Sequence, residues 1–186
     1  MLIPRRSLFV VVAALAPAGC GPSAAQIREA REARYDAGRA DVFQVASEVV
    51  AEDPGLDLVD PETAVLISAG RWYEAGGAVE DEETTPSGDQ AVILHHGSLL
   101  LAYRVAVVGE APPFQVVVES VVDQWLVGAT SLYRMKPDDP DVPSWVQDRV
   151  DNLQLAIHRR LQKRFAPTTR PFAAASASPA NPRSAR

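Results

Sequence analysis

Apolar positions recur along this chain in two periods. Helical spacing joins Val42, Val45, Ala46, Val49 and Val50, with Phe43 at the border of the stripe. That spacing predicts an amphipathic helix. Asp41 stands where an N-cap would, with Gln44 three residues later, and Asp53-Pro54-Gly55 forbids continuation. The same spacing returns in Val146, Val150, Leu153, Ile157, Leu161 and Phe165, behind a capping-box pattern at Ser144 and Gln147. Asp148 and Asp151 lie near the start of this second helix. Arg159, Arg160, Lys163 and Arg164 lie near its end, the order a helix dipole favours. Pro167 stops it.

Between these helices the period falls to two. Leu56–Val59 is a short strand. Ala64–Tyr73 alternates, with Val65, Ile67 and Ala69 on one face and Leu66 and Ser68 on the other. Ala91–Leu94 and Ser98–Val108 read as one apolar strand broken at Gly97. Phe114, Val116, Val118 and Val122 alternate with Gln115, Glu119 and Asp123, which marks one buried and one wetter face. Leu126–Met135 adds a last strand around Gly128, and residues 78–89 form a polar, acidic loop. The predicted fold is α+β, an antiparallel sheet of about three to five strands with two helices packed on one face as a two-layer sandwich.

The flanks are different in kind. Ser23 and Gln26 have capping-box spacing, and Ile27–Arg34 alternates Arg, Glu and Ala with almost no apolar face. Residues 20–40 are therefore expected to be a polar helical tether, 41–166 a single domain, and 167–186, rich in Ala, Ser and Pro, a disordered tail.

The stretch 1–20 carries Arg5 and Arg6, an apolar run from Leu8 to Leu15, then Ala16-Pro17-Ala18-Gly19-Cys20. A charged start, a short apolar core and a small-residue exit define a secretory signal peptide. The run is short of the roughly 20 residues that span a bilayer. Cys20 is the only cysteine, so no disulfide forms within the chain. Placed after Ala18-Gly19, it resembles the lipobox of bacterial lipoprotein precursors, although Pro17 stands where that family carries an aliphatic residue. The resemblance implies diacylglycerol on the Cys20 thiol and cleavage that removes 1–19. Gly21 after the cysteine leans toward the outer rather than the inner membrane by the same resemblance. Ala16-Pro17-Ala18 also fits an ordinary cleavage pattern, with the cut after Ala18 and Cys20 left as a free thiol. Arg5-Arg6-Ser7-Leu8-Phe9 is similar to a twin-arginine export signal, so two export routes stay open. A helix-sheet-helix order after a lipobox is similar to the helix-grip domains of small envelope lipoproteins. That resemblance implies a non-enzymatic role in the cell envelope.

Charge narrows the partners. The chain has 18 Lys and Arg against 24 Asp and Glu, and without Arg5 and Arg6 the balance is 16 against 24, or −8. Such a domain is a poor ligand for nucleic acid or an anionic bilayer, so attachment falls to the lipid.

Chemistry is sparse. Ser98 lies in His96-Gly97-Ser98, which is not a nucleophile elbow, and a hydrolase would need Ser98 or Ser68 beside a histidine. No glycine-rich phosphate loop occurs. His95 and His96, adjacent on a strand, would point to opposite faces, and His158 stands alone on the last helix, so no zinc site is expected. Glu80–Glu83 lacks the spacing of a calcium loop and reads as solvated. The expectation is no catalytic residues, no metal and no cofactor. Candidate interaction residues are Trp72, Tyr73 and Trp145, aromatics that in a small domain are more often core than interface; Leu155, opposite the apolar stripe and expected to be exposed; and the basic Arg159, Arg160, Lys163 and Arg164, facing lipid phosphate or simply ending a helix. The expected function is an envelope lipoprotein with a protein-binding or envelope-assembly domain facing the periplasm and an envelope protein as its partner. The alternative is a domain that binds a small ligand between sheet and helices.

Overall fold

The computed structural model describes residues 21–84, 90–136 and 138–168. The expected signal segment, Cys20 and the expected tail over 169–186 lie outside them.

Ser23 starts the first helix, α1 (Ala24–Glu32), through a reciprocal box. Its hydroxyl accepts from the Gln26 amide at 3.3 Å, and the Gln26 side chain accepts from the Ser23 amide at 2.9 Å. After β1 (Arg34–Tyr35), α2 (Arg39–Glu52) begins at Gly38, with no side-chain cap. Asp41 lies within the first turn of that helix rather than at its cap. There its negative charge still meets the positive end of the helix dipole.

Five short strands follow: β2 (Leu56–Asp60), β3 (Val65–Ser68), β4 (Arg71–Tyr73), β5 (Glu82–Thr84) and β6 (Gln90–Val92). Two long strands, β7 (Leu99–Val108) and β8 (Gln115–Gln124), form the centre. Then come β9 (Tyr133–Arg134), α3 (Ser144–Arg164) and β10 (Pro167–Thr168).

The fold is α+β. The main sheet is antiparallel, in the order β2-β3-β7-β8-β9, with β4 also on β7. Its six strands exceed the expected number because Ala64–Tyr73 divides in two. β3 pairs with the Arg104–Ala106 part of β7 and β4 with Leu99–Leu101. The Ser68 hydroxyl fills the gap between them by accepting from the Tyr103 amide at 2.8 Å. Likewise Ala91–Val92 leaves the long strand and joins β5 in a separate hairpin.

Alternation holds along the centre. Val116, Val118 and Val122 of β8 and Leu101, Tyr103, Val105 and Val107 of β7 are buried on the face that α2 and α3 cover. The helices contribute Val42, Val45, Ala46 and Val50, then Val146, Val150, Ile157 and Leu161. Each such aliphatic side chain stabilises the fold by about 1.5–3 kcal/mol when fully buried.

α3 starts behind Pro143 without a side-chain cap, and Gln147 bonds Asp151 instead of closing the expected box with Ser144. α1, although polar, lies along α3. Ala30 is buried there, Arg31 pairs with Asp151, and Gln162 donates to Glu29 at 3.4 Å. The expected tether therefore packs on the domain from α1 onward. Pro167 and Thr168, expected in the tail, pair with β1. Among the described residues no helix is long and apolar enough to cross a membrane.

Candidate functional site

β8 is paired along its whole length with β7, but its other side is only partly covered. At one end, Phe114 exchanges two backbone hydrogen bonds with Tyr35, of 2.8 and 3.0 Å. At the other end, β9 pairs with Asp123 and Gln124, and the Met135 amide reaches the Val122 carbonyl at 3.0 Å. Among the described residues no strand runs beside Gln115–Val121 on this side.

Part of that edge is closed by one side chain. Gln154 of α3 accepts from the Val118 amide and donates to the Val116 carbonyl, both at 3.1 Å, and also donates to the Ala30 carbonyl at 3.1 Å. Its amide thus imitates one residue of a neighbouring strand. These bonds also show which backbone groups face outward. Val116 and Val118 turn toward the edge, so Ser120 does the same. The Tyr103 amide opposite Ser120 turns the other way, to Ser68, as this pattern requires.

The open edge runs through a groove of about 710 Å³ between α1, α3, β8 and β9. Val118, Val121, Met135 and Val150 give it an apolar lining. Arg31, Arg104, Arg134 and Lys136 stand around it, with Glu119 the lone acid of the lining. Three of these cations hold partners: Arg31 with Asp151, Arg104 with Glu119 at 2.8 Å, and Arg134 with Asp123 at 2.5 Å. The Arg134–Asp123 bond raises the guanidinium pKa above its ordinary value. The four cations face three acids, Asp151, Glu119 and Asp123, which leaves one net positive charge beside this edge in a chain of net charge −6.

The residues singled out from the sequence do not gather in this groove. Trp72 is half-buried on β4, while Tyr73 is buried with Trp145 tilted against it, ring centres 5.3 Å apart. Leu155, expected to be exposed, is only 5% exposed. It shares the helix face of Asp151, His158 and Gln162, and α1 covers that face. The basic cluster is divided. Arg160 binds Glu52 at 2.7 Å and Arg164 binds Glu48 at 2.7 Å, clamping α3 to α2, while Arg159 and Lys163 are exposed. Cys20 lies outside the described residues.

The sequence reading also missed several polar groups in the interior. Glu80, read as solvated, has a side chain with no exposure, and its carboxylate accepts from the Ser98 hydroxyl and lies 3.0 Å from His95 Nδ1. Burial opposes its charge, but the hydrogen bonds from Ser98 and His95 and the His95 charge outweigh it, so its pKa falls below the ordinary value. His95 and His96 belong to a turn rather than a strand, closed by the Ser98 amide on the His95 carbonyl at 3.1 Å. Ser98 and Ser68 bond a carboxylate and backbone groups, not an imidazole. Among the described residues no three metal-ligating side chains converge. A signal for Gln154 and His158 was present. Both sit at helical spacing with Val150, Ile157 and Leu161, as polar residues on an apolar face.

No protein-family model matches this chain, and no curated protein or solved structure matches it significantly.

Proposed function

We propose that this protein is an exported envelope lipoprotein whose domain docks an extended, acidic segment of another envelope protein. Lipid on Cys20 anchors it to the periplasmic side of the outer membrane, and the docking is non-enzymatic. One observation carries the docking: among the described residues β8 lacks a neighbour beside Gln115–Val121, within a groove lined by Arg31, Arg104, Arg134 and Lys136. A partner strand would take up the outward backbone groups around Ser120, and its side chains would meet Val118 on one face of the sheet and Val121 on the other. Acidic residues on it would meet Lys136 and the arginines, which steers the encounter. The lipobox resemblance supports the anchor, because an acidic domain gains nothing from anionic lipid headgroups.

Two measurements test this reading. A photo-crosslinking amino acid at Lys136, in cells that make the protein, is expected to give a discrete protein adduct. Ser120→Ala keeps the outward amide and should keep the adduct. Ser120→Pro removes that amide without touching the β7 ladder and should abolish it. An adduct of equal yield in Ser120→Pro would refute strand addition. Mass spectrometry of the mature protein is expected to show acyl mass on an N-terminal Cys20. A free Gly19 amine with unmodified Cys20 would remove the anchor.

A further inference from the structure

The layer between sheet and helices is not filled everywhere. Where α2 ends, a cleft of about 330 Å³ opens among the last turn of α2, the middle of α3, and strands β4 and β7. It shares no lining residue with the groove along β8. Val49 and Leu153, both largely buried, form its apolar wall.

Two tyrosines line it. Tyr73 is 3% exposed and Tyr103 is 6% exposed. Neither hydroxyl hydrogen-bonds within the described protein, and neither is sealed into the core. Both rings are buried, but their hydroxyls open onto the cleft and are free to donate to what occupies it. Burial, with Tyr73 close by, pushes the Tyr103 pKa up to about 12. Tyr103 therefore keeps its proton and can donate it.

Two guanidiniums share the cleft. Arg149 lies 4.3 Å from the Tyr73 ring centre and 5.4 Å from that of Trp145, and donates to the Gly77 carbonyl at 2.9 Å. Stacking and that bond fix its plane and leave most of its five donors unused. Arg71 meets Asp53 at 3.2 Å across an exposed rim. The other rim acid, Glu52, is held by Arg160. Both carboxylates of the lining thus hold a cation, Asn152 adds an amide, and the donors left over are the two tyrosine hydroxyls and the remaining N–H groups of Arg149.

We propose that this cleft binds a small organic anion. The Tyr73 and Tyr103 hydroxyls, with Arg149 and Arg71, would donate to its carboxylate or phosphate oxygens, and Val49 and Leu153 would cover its apolar part. The volume suits a ligand at the small end of the usual range of about 300–1,000 Å³. Asp53 competes for Arg71, so the tyrosines and Arg149 carry most of the recognition. This site is independent of the docking groove and of the lipid anchor.

Calorimetric titration of the full chain with succinate and with inorganic phosphate tests the proposal. Saturable one-to-one binding of either is expected at millimolar concentration. Succinate alone would identify a carboxylate ligand and phosphate alone a phosphate ligand. Tyr103→Phe and Tyr73→Phe should each weaken binding by about tenfold or more, the loss of one hydrogen bond to a charged group. Both should leave the thermal midpoint of the ligand-free protein unchanged, because those hydroxyls bond nothing in the fold. Binding of neither anion, binding untouched by the two substitutions, or a lowered ligand-free midpoint in Tyr103→Phe would each overturn it.

Discussion

The Tyr35 hydroxyl lies 2.5 Å from Nδ1 of His158 and joins the strand after α1 to the last helix. Burial, then the Glu29 charge, raises the Tyr35 pKa, so the phenol keeps its proton. Burial lowers that of His158, against the pull of Glu29 and with a smaller contribution from Arg159. The tyrosine therefore donates to a neutral imidazole, and His158 Nε2 is directed at Glu29, 3.8 Å away.

That pair predicts a pH dependence. His158 has a folded pKa below its ordinary 6.5, so the unfolded chain takes up the proton first as pH falls. The stabilisation is present above 6.5 and is lost as pH falls toward the folded value. Thermal midpoints followed by circular dichroism from about pH 8 to about pH 5 should decline below that point. His158→Gln should flatten the decline, and a variant retaining the full wild-type slope would contradict the assignment.

Glu80 predicts a second dependence, at more acid pH. Its folded pKa lies below the ordinary 4.5, so its contribution is complete above that value and is lost as pH falls through the folded one. Ser98→Ala removes a donor from a carboxylate that water does not reach. Urea unfolding at neutral pH should show a loss of about 1.5–3 kcal/mol. Acid unfolding of the variant should begin at a higher pH than in the wild type. Equal stability would mean that Glu80 draws nothing from Ser98.

Gly77 sets a steric limit. Its φ is +90°, and a Cβ there would come within 2.9 Å of the Trp145 ring. The ring is held in place by its Nε1 bond to the Ala75 carbonyl at 3.0 Å. Gly77→Ala should therefore cost about 1–3 kcal/mol, from backbone strain and a displaced indole. Differential scanning calorimetry would register it, and an unchanged midpoint would refute the close packing.

How much of this was legible beforehand can be followed residue by residue. The capping box of Ser23 and Gln26 formed as its spacing predicts, because both partners lie within one turn. Asp41 and Ser144 carried comparable spacing, yet neither became a cap: Gly38 and Pro143 hold those positions. The two central faces of Val116, Val118 and Val122 and of Val146, Val150 and Ile157 follow from period alone.

The sequence by itself determined the α+β class, the antiparallel pairing of its long strands and the apolar stripe of α3, because these depend on local spacing and on which side chains water rejects. Only the tertiary structure decided that Leu155 is buried, that Gln154 closes part of the β8 edge, that Glu80 leaves solvent, and that Tyr73 and Tyr103 share a cleft with Arg149. Each of these depends on a partner distant in the chain: Gln154 and Ala30 are separated by 124 residues, and Tyr35 and His158 by 123. A polar side chain is buried where the fold supplies it a partner, and no local period records that supply.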